Sequence, residues 1–142
     1  MPERASHIVV VEDEESDRVF IRRALDRGSR DHELVAFGTA AKFLAYLDEC
    51  HANDRCPDVV LLDLSLPAMS GLDVLRTVRA GDSCPLVPII VLTSSSYRVE
   101  VAEAYAAGAN AFVTKPARLA GLDRFVRQLE DFWLDMVHLP YS

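Results

Sequence analysis

The 142 residues carry no excess of basic charge, no C-x-x-C pair, no apolar run long enough to span a bilayer and no internal repeat. Each absence removes a class of function. Fifteen Lys and Arg stand against 22 Asp and Glu, a net charge of −7, so the concentrated basic face that engages nucleic-acid phosphates is missing. Cys50, Cys56 and Cys84 are odd in number and lack zinc-site spacing. They are expected to be free, buried or bystander thiols in a reducing compartment rather than a disulfide framework. The polar stretch from Met1 to His7 passes directly into a short strand-like run, with no signal-peptide-like segment, which predicts a cytoplasmic protein that engages neither membrane nor nucleic acid. The length predicts a single domain over 1–142, its core at about 7–131 and a helical extension at 132–142.

Strand and helix signals alternate along the whole chain. His7 to Val11 is a β-branched run that ends in the acidic cluster Glu12-Asp13-Glu14-Glu15. A helix follows, with Ser16 as its expected cap, Phe20, Ile21, Ala24 and Leu25 as its apolar face, and Gly28 as its stop. Leu34 to Phe37 is a weaker strand, and Thr39 caps a helix that buries Phe43, Leu44 and Leu47 before a polar connector from Cys50 to Pro57. Val59 to Leu62 and Pro88 to Leu92 are fully apolar and read as strands buried on both faces, which implies a parallel sheet covered by helices. Between them Leu72, Val74, Leu75 and Val78 mark a helix. A helix from about Arg98 to Ala107, a strand at Ala111 to Val113 and a last helix from Leu119 to Val137 complete the pattern. Five strands alternating with five helices predict a doubly wound α/β fold, a flavodoxin-like (βα)5 with strand order 2-1-3-4-5 and right-handed crossovers.

In that order the first and third strands are neighbours, and their carboxyl ends bring Glu12 and Asp13 to Asp63. Two like charges about 4 Å apart repel by about 4 kcal/mol at an effective dielectric of 20, so the cluster should hold protons or recruit a divalent cation. Oxygen ligands without His or Cys favour Mg²⁺, and Mg²⁺ with carboxylates points to phosphoryl chemistry. Thr93 and Lys115, at the ends of the fourth and fifth strands, add a hydroxyl and a positive charge. Taken singly, Asp63 and Thr93 read as caps and Lys115 as a solvated turn residue. Their shared position at successive strand ends outweighs those readings.

Glu12-Asp13, Leu62-Asp63-Leu64-Ser65-Leu66-Pro67 with Met69-Ser70-Gly71, Leu92-Thr93-Ser94-Ser95 and Phe112-Val113-Thr114-Lys115-Pro116 together resemble the response-regulator receiver domains of two-component signalling, from His7 to about Trp133. The resemblance implies that Asp63 accepts a phosphoryl group from a histidine kinase's phosphohistidine. It implies Mg²⁺ held by Asp13 and Asp63, by the Ser65 carbonyl and, through water, by Glu12. Thr93 and Lys115 would contact phosphoryl oxygens, and Lys115-Pro116 would be a cis peptide. Such a domain is no enzyme in the usual sense, since it catalyses only its own phosphorylation and dephosphorylation. Thr93 and Phe112 take the places of the family's switch pair. Phe keeps the packing of the Tyr found in many relatives but lacks its hydroxyl, and a core Phe with one rotamer is the alternative.

The tail from Leu129 to Pro140 is similar to that of the single-domain regulators paired with bacterial phytochromes, which implies a red-light-sensing kinase as partner and no output domain. Phe132, Trp133, Met136, Val137 and Leu139 continue past the usual end of a receiver's last helix, and this surplus predicts a homodimer through the last helix and fifth strand rather than a tail folded back on its own sheet. Rival functions are a non-phosphorylated scaffold and a relay that hands phosphate to a phosphotransfer protein. A haloacid-dehalogenase phosphatase needs a second acid at position 65, which is Ser. A flavin site needs a phosphate-cradling loop where Glu12 to Glu15 stand.

Overall fold

A strand whose residues are apolar without interruption has no face to offer water, so it must be covered on both sides. β1 (Ser6–Val11), β3 (Val59–Leu62) and β4 (Ile89–Thr93) are buried along their whole lengths. With β2 (His32–Phe37) and β5 (Ala111–Thr114) they form one parallel sheet of order β2-β1-β3-β4-β5. The structure is a computed structural model that describes residues 5–94 and 97–141. The expected doubly wound architecture is therefore present.

The helices are α1 (Glu15–Asp26), α2 (Ala40–Ala52), α3 (Gly71–Ala80), α4 (Arg98–Ala107) and α5 (Leu119–Gln128). Phe43 and Leu47 of α2, Val74 and Leu75 of α3 and Ala104 of α4 cover one face of the sheet. Ile21 and Leu25 of α1 and Leu122 and Val126 of α5 cover the other, against Ile8, Val10, Leu61 and Ile90. Thr39 caps α2 as expected, its hydroxyl accepting from the Lys42 N–H at 3.3 Å. Ser16 does not cap α1, which begins one residue earlier and leaves Glu14 at the cap without a side-chain bond. The Glu14 N–H donates instead to the Glu12 carboxylate at 3.1 Å. Phe20 is 40% exposed and stays out of the core. α2 runs on through Cys50, and β2 starts two residues earlier than the apolar run suggests.

Three further expectations are corrected. The Lys115–Pro116 peptide is trans, the isomer that X–Pro bonds favour by about 0.5–1 kcal/mol. Cys56 and Cys84 form a disulfide, leaving Cys50 as the buried free thiol. The two cysteines lie on the connectors leading into adjacent strands β3 and β4, a proximity that a sequence separation of 28 does not display. The last helix is also not continuous. After Gln128 it widens into a π-helical segment, Leu129–Leu134.

The widening coincides with Glu130, a carboxylate turned into the protein and 2% exposed. It accepts from the N–H groups of Ser29 and Arg30 at 3.1 and 3.0 Å and pairs with His32 Nε2 at 2.9 Å. Gly28 makes room, since a Cβ there would lie 2.5 Å from the Glu130 carboxylate. Trp133 and Leu134 pack on the α1/α5 side of the core. Tyr141 packs against the other core, and its hydroxyl accepts from the Leu86 N–H at 3.0 Å. The tail thus folds back on its own sheet in large part, against expectation, because a buried carboxylate with three donors anchors its start. Phe132 and Met136 remain outside, 52% and 68% exposed.

Candidate functional site

The site sits at the carboxyl ends of β1, β3, β4 and β5. Pairing of Val11 with Leu62 puts the residues that follow, Glu12 and Asp63, side by side, and the Asp63 N–H donates to the Val11 carbonyl at 3.0 Å. Thr93 pairs with Thr114, and the Lys115 N–H donates to the Thr93 carbonyl at 2.7 Å, which sets the lysine over the pocket. The acceptor loop after β3 is held by a tight approach at Gly71, where a Cβ would lie 2.6 Å from Leu64 Cα and 2.7 Å from the Asp63 carbonyl.

Carboxylate oxygens of Glu12, Asp13 and Asp63 all fall within 4.8 Å of one another. Glu12 and Asp63 are buried and Asp13 is exposed. Asp63 Oδ1 accepts from the Thr93 hydroxyl at 2.9 Å and the Ser65 N–H at 3.1 Å, while Oδ2 accepts from the Lys115 ammonium at 3.4 Å. Lys115 Nζ lies closer to Glu12, at 2.6 Å, and to Asp17, at 2.9 Å.

Burial pushes the Glu12 carboxyl up to about 7, against the pull of the Lys115 ammonium. Burial opposes ionisation of Asp63 as well, but bonds from Glu12, the Ser65 N–H and Thr93, with the charge of Lys115, hold its carboxyl below the usual carboxylate range. Burial alone would lower Lys115, yet its bonds to Glu12 and Asp17 carry it above the ordinary lysine range. The two carboxyls are thus pushed in opposite directions, Glu12 toward its protonated form and Asp63 toward its charged one. Three carboxylates, Glu12, Asp17 and Asp63, surround one lysine, and Asp13 adds a fourth beside Glu12 and Asp63. That imbalance, built of hard oxygens, fits a small divalent cation.

All of the expected carboxylates, Thr93 and Lys115 come together. Phe112 is half-buried on β5, with its N–H donating to the Tyr105 hydroxyl at 3.1 Å. Ser95 lies outside the described residues. Asp17 was missed; its only signal is its place four residues after Asp13, one helical turn along α1.

The model of the response regulator receiver domain matches residues 8–127. The chain belongs to this family. Response regulator Rcp1 of Synechocystis is 32% identical over 135 residues, covering 94% of this chain and 92% of that protein. The phosphorylated cyanobacterial phytochrome response regulator RcpA superposes with a TM-score of 0.87 at 32% identity, over 96% of this chain and 99% of that one. The Mn²⁺-bound form of Rcp1 gives a TM-score of 0.83 at 31% identity, over 95% and 99%. Membership of this receiver family makes the chain a component of two-component signalling, with a histidine kinase as the implied partner.

Proposed function

We propose that the chain is a single receiver unit over 1–142, core about 7–131, that takes a phosphoryl group from a histidine kinase's phosphohistidine onto Asp63 in a Mg²⁺-dependent reaction. The observation that carries this reading is the placement of Asp63, beside Glu12 and Asp13 with Thr93, the Ser65 N–H and Lys115 all within hydrogen-bonding distance of its carboxylate. Attack of a carboxylate oxygen on phosphorus gives an acyl phosphate. Thr93 and Lys115 lie where they can bond the incoming oxygens, with Lys115 exchanging Glu12 and Asp17 for the phosphoryl group. Asp13, Asp63, the Ser65 carbonyl and, through water, Glu12 would hold Mg²⁺. When bound, the cation neutralises charge on the transferring group. The chemistry acts on the chain itself and not on an external substrate. Incubation with Mg²⁺ and a small-molecule acyl phosphate should add the mass of one phosphoryl group, and an unchanged mass would defeat the proposal.

A groove of about 640 Å³ beside Lys115, lined among others by Phe20, Ile21, Pro116 and Leu119, offers a kinase an apolar approach to Asp63. The similarity to RcpA and Rcp1 supports a phytochrome-type kinase as phosphodonor. Phosphotransfer profiling against the histidine kinases of the source organism tests this, and preference for a kinase of another class would refute it. Among the described residues no helix is long and apolar enough to cross a membrane, and the acidic net charge of −7 supports a cytoplasmic setting without nucleic acid. Phosphorylation would draw Thr93 toward the phosphoryl group and let Phe112 turn inward behind it. Phe132 and Met136, exposed beside the half-buried Trp133, would carry a homodimer through the last helix and fifth strand. Sedimentation of wild type against a Phe132→Ala, Met136→Ala double variant decides it, and a monomeric wild type at micromolar concentration excludes it.

A further inference from the structure

The Cys56–Cys84 bond lies at the end of the sheet opposite Asp63. It joins the connectors into β3 and β4, and the ring it closes contains β3, Asp63, Ser65 and all of α3. Both cysteines are buried, Cys56 slightly less so at 7% exposed against 0% for Cys84. Beside them runs a fully exposed stretch from His51 to Arg55. A ring nitrogen of His51 falls within 4.8 Å of both sulfurs. The His51 ring is oriented by the Cys84 N–H, which donates to Nδ1 at 3.4 Å. Cys50, the remaining thiol, is pushed up by burial and stays protonated and unreactive.

We propose that Cys56–Cys84 is a reversible thiol–disulfide exchange site whose substrate is a dithiol reductant. The reductant's thiolate attacks Sγ of Cys56, the less buried of the two residues and the one next to the exposed stretch. The Cys56–Cys84 bond breaks, and Cys84 leaves with the bonding pair as a thiolate, which takes a proton. The reductant's second thiolate then attacks its own sulfur in the mixed disulfide, closes its ring and releases Cys56 as a thiolate, which also takes a proton. The protein gains two electrons and two protons, and the dithiol is oxidised to a disulfide. Neither step uses the acceptor site, so this inference stands apart from the phosphorylation reading.

The test equilibrates the full chain in dithiothreitol buffers of graded redox poise, quenches in acid, and counts maleimide-labelled thiols by mass after unfolding. One labelled thiol at the oxidising end, three at the reducing end, and return to one on reoxidation without a covalent dimer are expected from the three cysteines. Cys50→Ser should subtract one label throughout and leave the midpoint in place. Three labelled thiols at every poise, or a bond that resists reduction until denaturant is added, would overturn the exchange site.

Discussion

Glu12 and Glu130 are equally buried, each 2% exposed, and lie at opposite ends of the sheet, yet their acidities move in opposite directions. Glu12 faces other carboxylates and is pushed up to about 7 by burial that one shared lysine does not offset. Burial opposes ionisation of Glu130 too, but the Ser29 and Arg30 N–H groups and His32 outweigh it and hold the carboxyl below its usual range. The two differ in kind of partner. A buried carboxylate among donors is a structural anchor, whereas one among other carboxylates is an incomplete site that awaits positive charge. The first fastens the tail, and the second is where chemistry is expected.

The largest effect should follow removal of the charged oxygen that the carboxylate-rich end presents. Asp63→Asn keeps the shape of the side chain and is expected to abolish uptake of a phosphoryl group, read by intact mass after incubation with an acyl phosphate. Labelling that persists in this variant would mean that the pocket is not the reactive end. Asp13→Ala comes next, with Mg²⁺ affinity expected to fall by about tenfold or more on loss of a direct ligand. Calorimetric titration showing unchanged affinity would leave the cluster's surplus of negative charge without a role.

At the anchored end the loss should appear in stability and not in metal binding. Glu130→Ala leaves two backbone N–H groups and His32 facing a void, and about 2–4 kcal/mol of stability should be lost in denaturant unfolding. Mg²⁺ affinity should stay at the wild-type value. A change in metal binding of the same size would erase the distinction between the ends.

The smallest and most discriminating effect is the sign of the pH dependence in metal-free buffer. Glu130 has a lowered carboxyl, so its contribution is complete above the ordinary carboxylate range and lost as pH falls below about 4.5. Glu12 has a raised one, from 4.5 to about 7, so its contribution is complete below about 4.5 and lost as pH rises to about 7. Thermal unfolding of Glu130→Gln and Glu12→Gln, each referenced to wild type, should therefore give difference curves of opposite slope in those two windows. Slopes of one sign would show that depth and not partners governs both groups.

The pocket was legible because its residues end strands. Unbroken apolar runs at Val59 to Leu62 and Ile89 to Leu92 demand a covered parallel sheet, and once its order is known, Glu12, Asp13, Asp63, Thr93 and Lys115 fall at one edge. Asp17 escaped because it reaches the pocket from a helix, where an acidic residue in the first turn also reads as a favourable interaction with the helix dipole. Phe20 escaped for the converse reason: its spacing matches the buried face of α1, yet it lies at the margin where the helix turns away from the sheet.

By itself, then, the chain's pattern determined the strand and helix alternation and which chemistry-bearing residues end strands, because periodicity and strand ends are local properties of the sequence. Only the tertiary structure decided that Cys56 meets Cys84, that Glu130 turns inward to Ser29, Arg30 and His32, and that Tyr141 reaches Leu86. Those contacts join segments 28 to 101 residues apart, and no local preference of either partner encodes them. They follow from which connectors the folded sheet brings together, and from the cost of leaving a buried carboxylate without donors.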